Sequence, residues 1–135
     1  MARMIPYFEG CVGHGWDQLG SRTSDVDYVA LRESMKGRSI DYFQKFYGDT
    51  ALFGALPSTG CGLDFFGVEQ ILFASDVPFE PKPGVYIREI IRCIESLDLT
   101  DEEKNRIFYR NAYELCGLQR KRGLYDRRQS HPGEP

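Results

Sequence analysis

The chain has 135 residues, enough for one domain, with 41% hydrophobic and 27% charged residues, an ordinary balance for a soluble globular protein. Seventeen basic against 20 acidic residues leave a net charge of -3, too mild to point to nucleic acid or an anionic membrane surface as partner. No apolar run approaches the roughly 18 residues of a membrane span, and Met1-Ala2-Arg3-Met4-Ile5-Pro6 lacks the apolar core of a signal peptide, so the expected location is the cytoplasm.

Residues 4–20 predict a helix weakened by Gly10, Gly13 and Gly15, and residues 21–38 a polar loop. Ser39 to Phe46 reads as a short helix. Phe46-Tyr47-Gly48-Asp49-Thr50-Ala51 reads as a short strand ending in Asp49 and Thr50. Ala51 to Phe66 keeps some apolar spacing through Leu52, Leu56, Leu63 and Phe66, but Pro57 and Gly60 interrupt it, so a broken helix is expected. Tyr42, Phe43, Phe46, Tyr47, Phe65 and Phe66 are expected in the core. Ile71-Leu72-Phe73-Ala74 is a short apolar run bounded by turn residues, the pattern of a fully buried strand.

Val85, Ile87, Ile90, Ile91 and Ile94 recur largely at three- and four-residue steps, one face of a helix, with Pro83 placed for its first turn. Thr100-Asp101-Glu102-Glu103 has the form of a capping box and opens a further helix with Ile107, Phe108, Ala112 and Leu115 on its apolar face. Gly117 is placed to stop it, and Leu99 to staple its start. The cysteines at 11, 61, 93 and 116 show no C-x-x-C spacing, and Cys93 and Cys116 read as small buried hydrophobes. The domain division expected is 1–118 for a folded unit and 119–135 for a disordered basic tail. Arg120-Lys121-Arg122 and Arg127-Arg128 read as a solvated C-terminus rather than a nucleic-acid contact.

The chemistry centres on Asp76. An acid directly after a buried strand, followed two residues later by Pro78, sits where α/β proteins present a metal ligand or a general base. A carboxylate there serves equally to cap the next helix or to satisfy a loop. Asp49 ends the neighbouring predicted strand. His14 is one of only two histidines and stands far from this pattern. Trp16 and Arg22 read as loop packing and loop surface before they read as substrate contacts. The order strand, helix, strand, helix demands a parallel sheet. Only two strands are recognisable, which leaves both sheet edges open.

Three segments in order carry a family resemblance: Phe46 to Ala51, Gly67-Val68-Glu69-Gln70-Ile71-Leu72-Phe73-Ala74-Ser75-Asp76-Val77-Pro78-Phe79, and Leu99 to Ala112. Together they resemble the closing third of the amidohydrolase-related barrels, in the branch of aminocarboxymuconate-semialdehyde and γ-resorcylate decarboxylases. Met4 to Gly10 resembles the helix after strand six in some members. The resemblance implies an α/β fold, the C-terminal portion of a (β/α)₈ TIM barrel. It implies a divalent metal, zinc foremost, at the strand ends, and decarboxylation or hydrolysis of small carboxylated or cyclic substrates. Asp76 matches the aspartate at the end of strand eight that binds the metal or positions its water, and Asn111 matches a structural asparagine of the last helix. The family's His-x-His pair on strand one, its metal-binding histidine on strand five and its catalytic histidine after strand six have no counterpart. Met1-Ala2-Arg3 stands where the last of these is usually found.

A catalytic zinc site typically needs three protein ligands. The expectation is therefore a fragment of a metal-dependent decarboxylase or hydrolase that holds no metal and turns over no substrate alone. The alternative is a non-catalytic remnant serving as an assembly module. Either reading leaves room for a homo-oligomer or a complementing polypeptide at the open strand edges.

Overall fold

A computed structural model describes residues 4–18 and 27–118. Arg22 and the expected tail at 119–135 lie outside these described residues. The elements are α1 (Glu9–Asp17), α2 (Tyr28–Ser34), α3 (Ser39–Phe43), β1 (Gly48–Asp49), α4 (Leu56–Phe66), a 3-10 turn (Val68–Gln70), β2 (Ile71–Leu72), α5 (Val85–Glu95), α6 (Asp101–Asn105), a π-helical turn (Arg106–Arg110) and α7 (Asn111–Leu115). β1 and β2 pair in parallel, with Gly48 opposite Ile71 and Asp49 opposite Leu72. The crossover through α4 is what a parallel pair requires.

Helices cover one face of this pair. Phe65 and Phe66 from α4, Ile71 from β2, Ile90 and Ile94 from α5, and Ile107 from the π turn form the buried core. Phe43, Phe73, Leu99 and Phe108 pack around it. Each fully buried isoleucine contributes roughly 1.5–3 kcal/mol over an exposed one, so Ile90, Ile94 and Ile107 carry much of the stability. A Cβ on Gly48 would lie 2.9 Å from Ile71 Cδ1 and 3.1 Å from Phe66 Cδ2. The missing side chain is what lets β1 approach this closely.

Several sequence expectations are corrected. The segment expected as a loop at 21–38 contains α2, which starts because Asp27 Oδ1 accepts from the Ala30 N–H at 3.0 Å. α4 is not broken, because Pro57 falls in its first turn, where no N–H is needed. Ile71 is buried, but Leu72, Phe73 and Ala74 are only half-buried, so the strand is not fully enclosed. Tyr42, Phe46 and Tyr47 are exposed rather than core, as are Ala112, Leu115 and Cys116 on the last helix. Cys93 is buried as expected, with its Sγ 3.5 Å from Thr59 Oγ1.

The start of α5 is also built differently. Pro83 stays outside, and Gly84 in a left-handed conformation is the N-cap. The carboxylate of Glu80 accepts from the Gly84 N–H and, at 3.0 Å, from the Tyr86 N–H. These bonds, the Gly84 one foremost, hold Glu80 below its ordinary value of 4.5 against the opposing pull of desolvation, with Arg88 nearby adding to the effect. A depressed carboxylate stabilises the fold above the unfolded-state value, and that stability is lost as pH falls through the folded value. Glu80→Gln is therefore expected to flatten the fall of the thermal midpoint between about pH 6 and about pH 3. An unchanged acid limb would remove Glu80 from this role.

The capping box forms as expected: Thr100 N–H donates to Glu103 Oε2 at 2.8 Å, and Glu103 N–H to Thr100 Oγ1 at 3.3 Å. The helix it opens then widens. The Asn111 N–H bonds to the Arg106 carbonyl, one residue further back than its regular α-helical partner, Ile107. The Ile107 carbonyl is released by this shift, and it accepts from the Phe73 N–H at 3.0 Å. The Asn111 side chain, 1% exposed, donates to the carbonyls of Val68 at 2.7 Å and Ile71 at 2.8 Å. The edge of β2 away from β1 is thus bonded to helix groups at Ile71 and Phe73. This corrects the expectation that both edges of the pair stand open. No helix among the described residues is long and apolar enough to cross a membrane.

Candidate functional site

The C-terminal ends of β1 and β2 point the same way, because the pair is parallel. Gly48 and Ile71 face α4, so strand alternation turns Asp49 and Leu72 to the opposite face of the sheet. Ala74 presents its N–H and its carbonyl toward β1, so extended backbone continues past Leu72 toward Asp76.

Asp76 is half-buried. Its carbonyl accepts from the Phe79 N–H at 2.7 Å, which closes a turn and leaves Phe79 84% exposed on the loop to α5. Of the structural roles open to an acid at this point, capping the next helix belongs to Glu80 instead. Asp49 is committed differently: its Oδ1 accepts from the Ala51 N–H at 3.0 Å and bends the chain out of β1. Thr50 is 3% exposed and sits between the strand ends, bonded to β2 through its backbone and its hydroxyl.

The remaining candidates lie apart from this point. His14 is exposed on α1, 2.8 Å from Gln18 Nε2, and Trp16 is half-buried on the same helix. A cleft of about 500 Å³ between α1, α3 and α4 is lined by Glu9, Gln44, Cys61 and Asp64 and includes no residue of the strand ends. Among the described residues no group of three or more His, Cys, Asp or Glu is placed to hold a metal ion. The donors present therefore do not make a metal centre; Asp76 is at most one contribution to one.

Two residues escape sequence reasoning. Glu80 has only its position four residues before Gly84 as a signal. Thr50 has only its place at the end of a predicted strand.

The family model for amidohydrolases matches residues 10–118. No curated protein sequence matches the chain. Among solved structures, the chain is similar to a 2,6-dihydroxybenzoate decarboxylase complexed with 2,6-dihydroxybenzoate, at 22% identity and a TM-score of 0.59, over 84% of this chain and 32% of that one. It is similar to a dihydroxybenzoic acid decarboxylase from Polaromonas sp. JS666 with bound manganese and the inhibitor 2-nitroresorcinol, at 24% identity and a TM-score of 0.60, over 90% of this chain and 33% of that one. A 2,6-dihydroxybenzoate decarboxylase from Rhizobium gives 22% identity and a TM-score of 0.57, over 82% and 31%. The chain thus spans about a third of the length of these structures, and its fold is that of part of theirs. By its match over residues 10–118, the chain belongs to the amidohydrolase family.

Proposed function

We propose that this chain is the closing part of a metal-dependent amidohydrolase-family enzyme, a decarboxylase or hydrolase of small carboxylated or cyclic substrates. The similar structures bind 2,6-dihydroxybenzoate in one case, and manganese with 2-nitroresorcinol in another. A planar ring bearing oxygens beside a carboxylate is accordingly the substrate class proposed for the assembled site. A divalent ion, manganese or zinc, is the proposed cofactor there, with Asp76 as a ligand or as the group that orients its water. The observation that carries this reading is the half-buried Asp76, set just past the paired end of a parallel strand.

Too few donors converge here for the described residues to hold the ion, so the remaining ligands come from outside them. That same shortage favours a second reading, an assembly module that pairs with another polypeptide or another copy through the β1 edge. The test uses the full 135-residue chain, labelled for NMR, titrated with Mn²⁺ at millimolar concentration. Paramagnetic broadening is expected at Asp76 ahead of Asp98 and Asp101. Broadening spread evenly over all three would take Asp76 out of a metal site. The chain alone is expected to release no CO₂ from 2,6-dihydroxybenzoate with either metal; metal-dependent release by a pure sample would contradict the shortage of ligands.

A further inference from the structure

The ladder between β1 and β2 has an unusual last rung. The Thr50 N–H donates to the Leu72 carbonyl at 3.1 Å, as parallel pairing requires. The next bond of such a ladder would run from the Ala74 N–H to the Thr50 carbonyl. That carbonyl is taken: it accepts from the Leu52 N–H at 2.6 Å as β1 bends away. The Thr50 hydroxyl stands in for it. Oγ1 accepts from the Ala74 N–H at 3.0 Å and donates to the Ala74 carbonyl at 3.1 Å. One buried side chain therefore satisfies both backbone groups of Ala74 and keeps β2 extended after main-chain pairing has ended.

The consequence falls on Asp76. Only Ser75 separates Ala74 from Asp76, and the turn closed by Phe79 starts at Asp76 itself. The direction in which the chain leaves the sheet is set at Ala74. Without the hydroxyl, Ala74 would keep neither bond to β1, and the last tie between the two strands before Asp76 would be the Thr50 N–H to the Leu72 carbonyl. We propose that Thr50 is the positioning residue for Asp76: its hydroxyl replaces a main-chain rung and so fixes where the carboxylate is presented. The inference rests on the reading of Asp76 as the site carboxylate, but its geometry can be tested without metal.

The experiment compares Thr50→Val, which keeps the shape and removes the hydroxyl, with Thr50→Ser, which keeps the hydroxyl. Both are made in the full chain and read by NMR. In T50V the Ala74 amide is expected to exchange about tenfold faster, the scale of one lost hydrogen bond. The residual dipolar couplings of Ser75 and Asp76 should change while those of Ile71 and Leu72 stay. T50S should restore both. A purely structural role would instead speed exchange throughout the core, at Ile90, Ile94 and Ile107, and leave the Ser75 and Asp76 couplings in place. That outcome, or a T50S chain that behaves like T50V, overturns the proposal. Should T50V not fold, the wild-type chain decides: a slowly exchanging Thr50 hydroxyl proton with a cross-peak to the Ala74 amide, together with unchanged couplings in T50S, supports it, and the lack of that proton signal overturns it. If Mn²⁺ shows no preference for Asp76 in the wild type, the metal role proposed above fails by itself, and the couplings still judge Thr50.

Discussion

Asn111→Ala is expected to cost about 2–6 kcal/mol of folding stability, since the carbonyls of Val68 and Ile71 lose their donor at roughly 1–3 kcal/mol each. The side chain is 1% exposed and bridges the carbonyls of Val68 and Ile71, more than 40 residues away in sequence for the first and 40 for the second. The neighbouring bond from Phe73 to the Ile107 carbonyl depends on the same turn of helix, so the loss should spread along the outer edge of β2. For domains that are typically stable by only about 5–15 kcal/mol, this approaches unfolding. Urea denaturation should show a lower midpoint at an unchanged slope. Asn111→Asp should be no better, because an ionised carboxylate has no proton to donate. A loss under about 1 kcal/mol would mean that the carbonyls find other partners and that the pin is not structural.

Asp76→Asn is expected to separate function from folding. The amide has nearly the shape of the carboxylate but lacks its charge. Preferential Mn²⁺ broadening at position 76 should disappear, a fall of more than about tenfold in occupancy, given that even outer-shell partners of a metal are worth 10–100-fold. Folding stability should stay within about 0.5 kcal/mol, as for a substitution away from the packed core. In the assembled enzyme proposed above, the same change should lower turnover by about 10–100-fold. Unchanged turnover there would remove Asp76 from the chemistry. A large loss of stability would assign it to the loop instead.

Asn111 and Thr50 act on opposite sides of one short strand. Asn111 and the released Ile107 carbonyl hold the outer edge of β2, at Ile71 and Phe73. Thr50 holds the inner edge, at Leu72 and Ala74. Successive residues of an extended chain turn their bonding groups alternately to left and right, so a two-residue strand can be gripped from both sides. A segment this short has little stability of its own. Here side chains and a π turn do what longer neighbouring strands do elsewhere.

Much of this was legible in the residues. The capping box at Thr100, the apolar face of α5, the parallel logic of the two strand segments and the candidacy of Asp76 all follow from local spacing, because backbone geometry repeats at fixed intervals. The family resemblance, confirmed over residues 10–118, came from the same segments. Errors arose where neighbours in space overrule neighbours in sequence. Pro57 looked like a break until its place in the first turn was seen. Tyr42, Phe46 and Tyr47 looked like core by size alone, yet they are exposed, since which face of an element is covered depends on what packs against it. The periodicity of residues 101–115 gave no sign of a π turn, because one shifted hydrogen bond leaves no mark on the pattern of side chains.

From its sequence alone this protein could be read as a parallel strand pair with an acid beyond the second strand, because strand ends, caps and helix faces are written in local residue patterns. The tertiary structure alone decided which acid caps the helix, which hydroxyl completes the ladder and which carbonyl closes the outer edge. Those assignments depend on atoms brought within 3 Å or so of one another, across six residues for the Glu80 cap and across 24 and 40 for the Thr50 and Asn111 bonds, and such distances are set by packing rather than by side-chain periodicity.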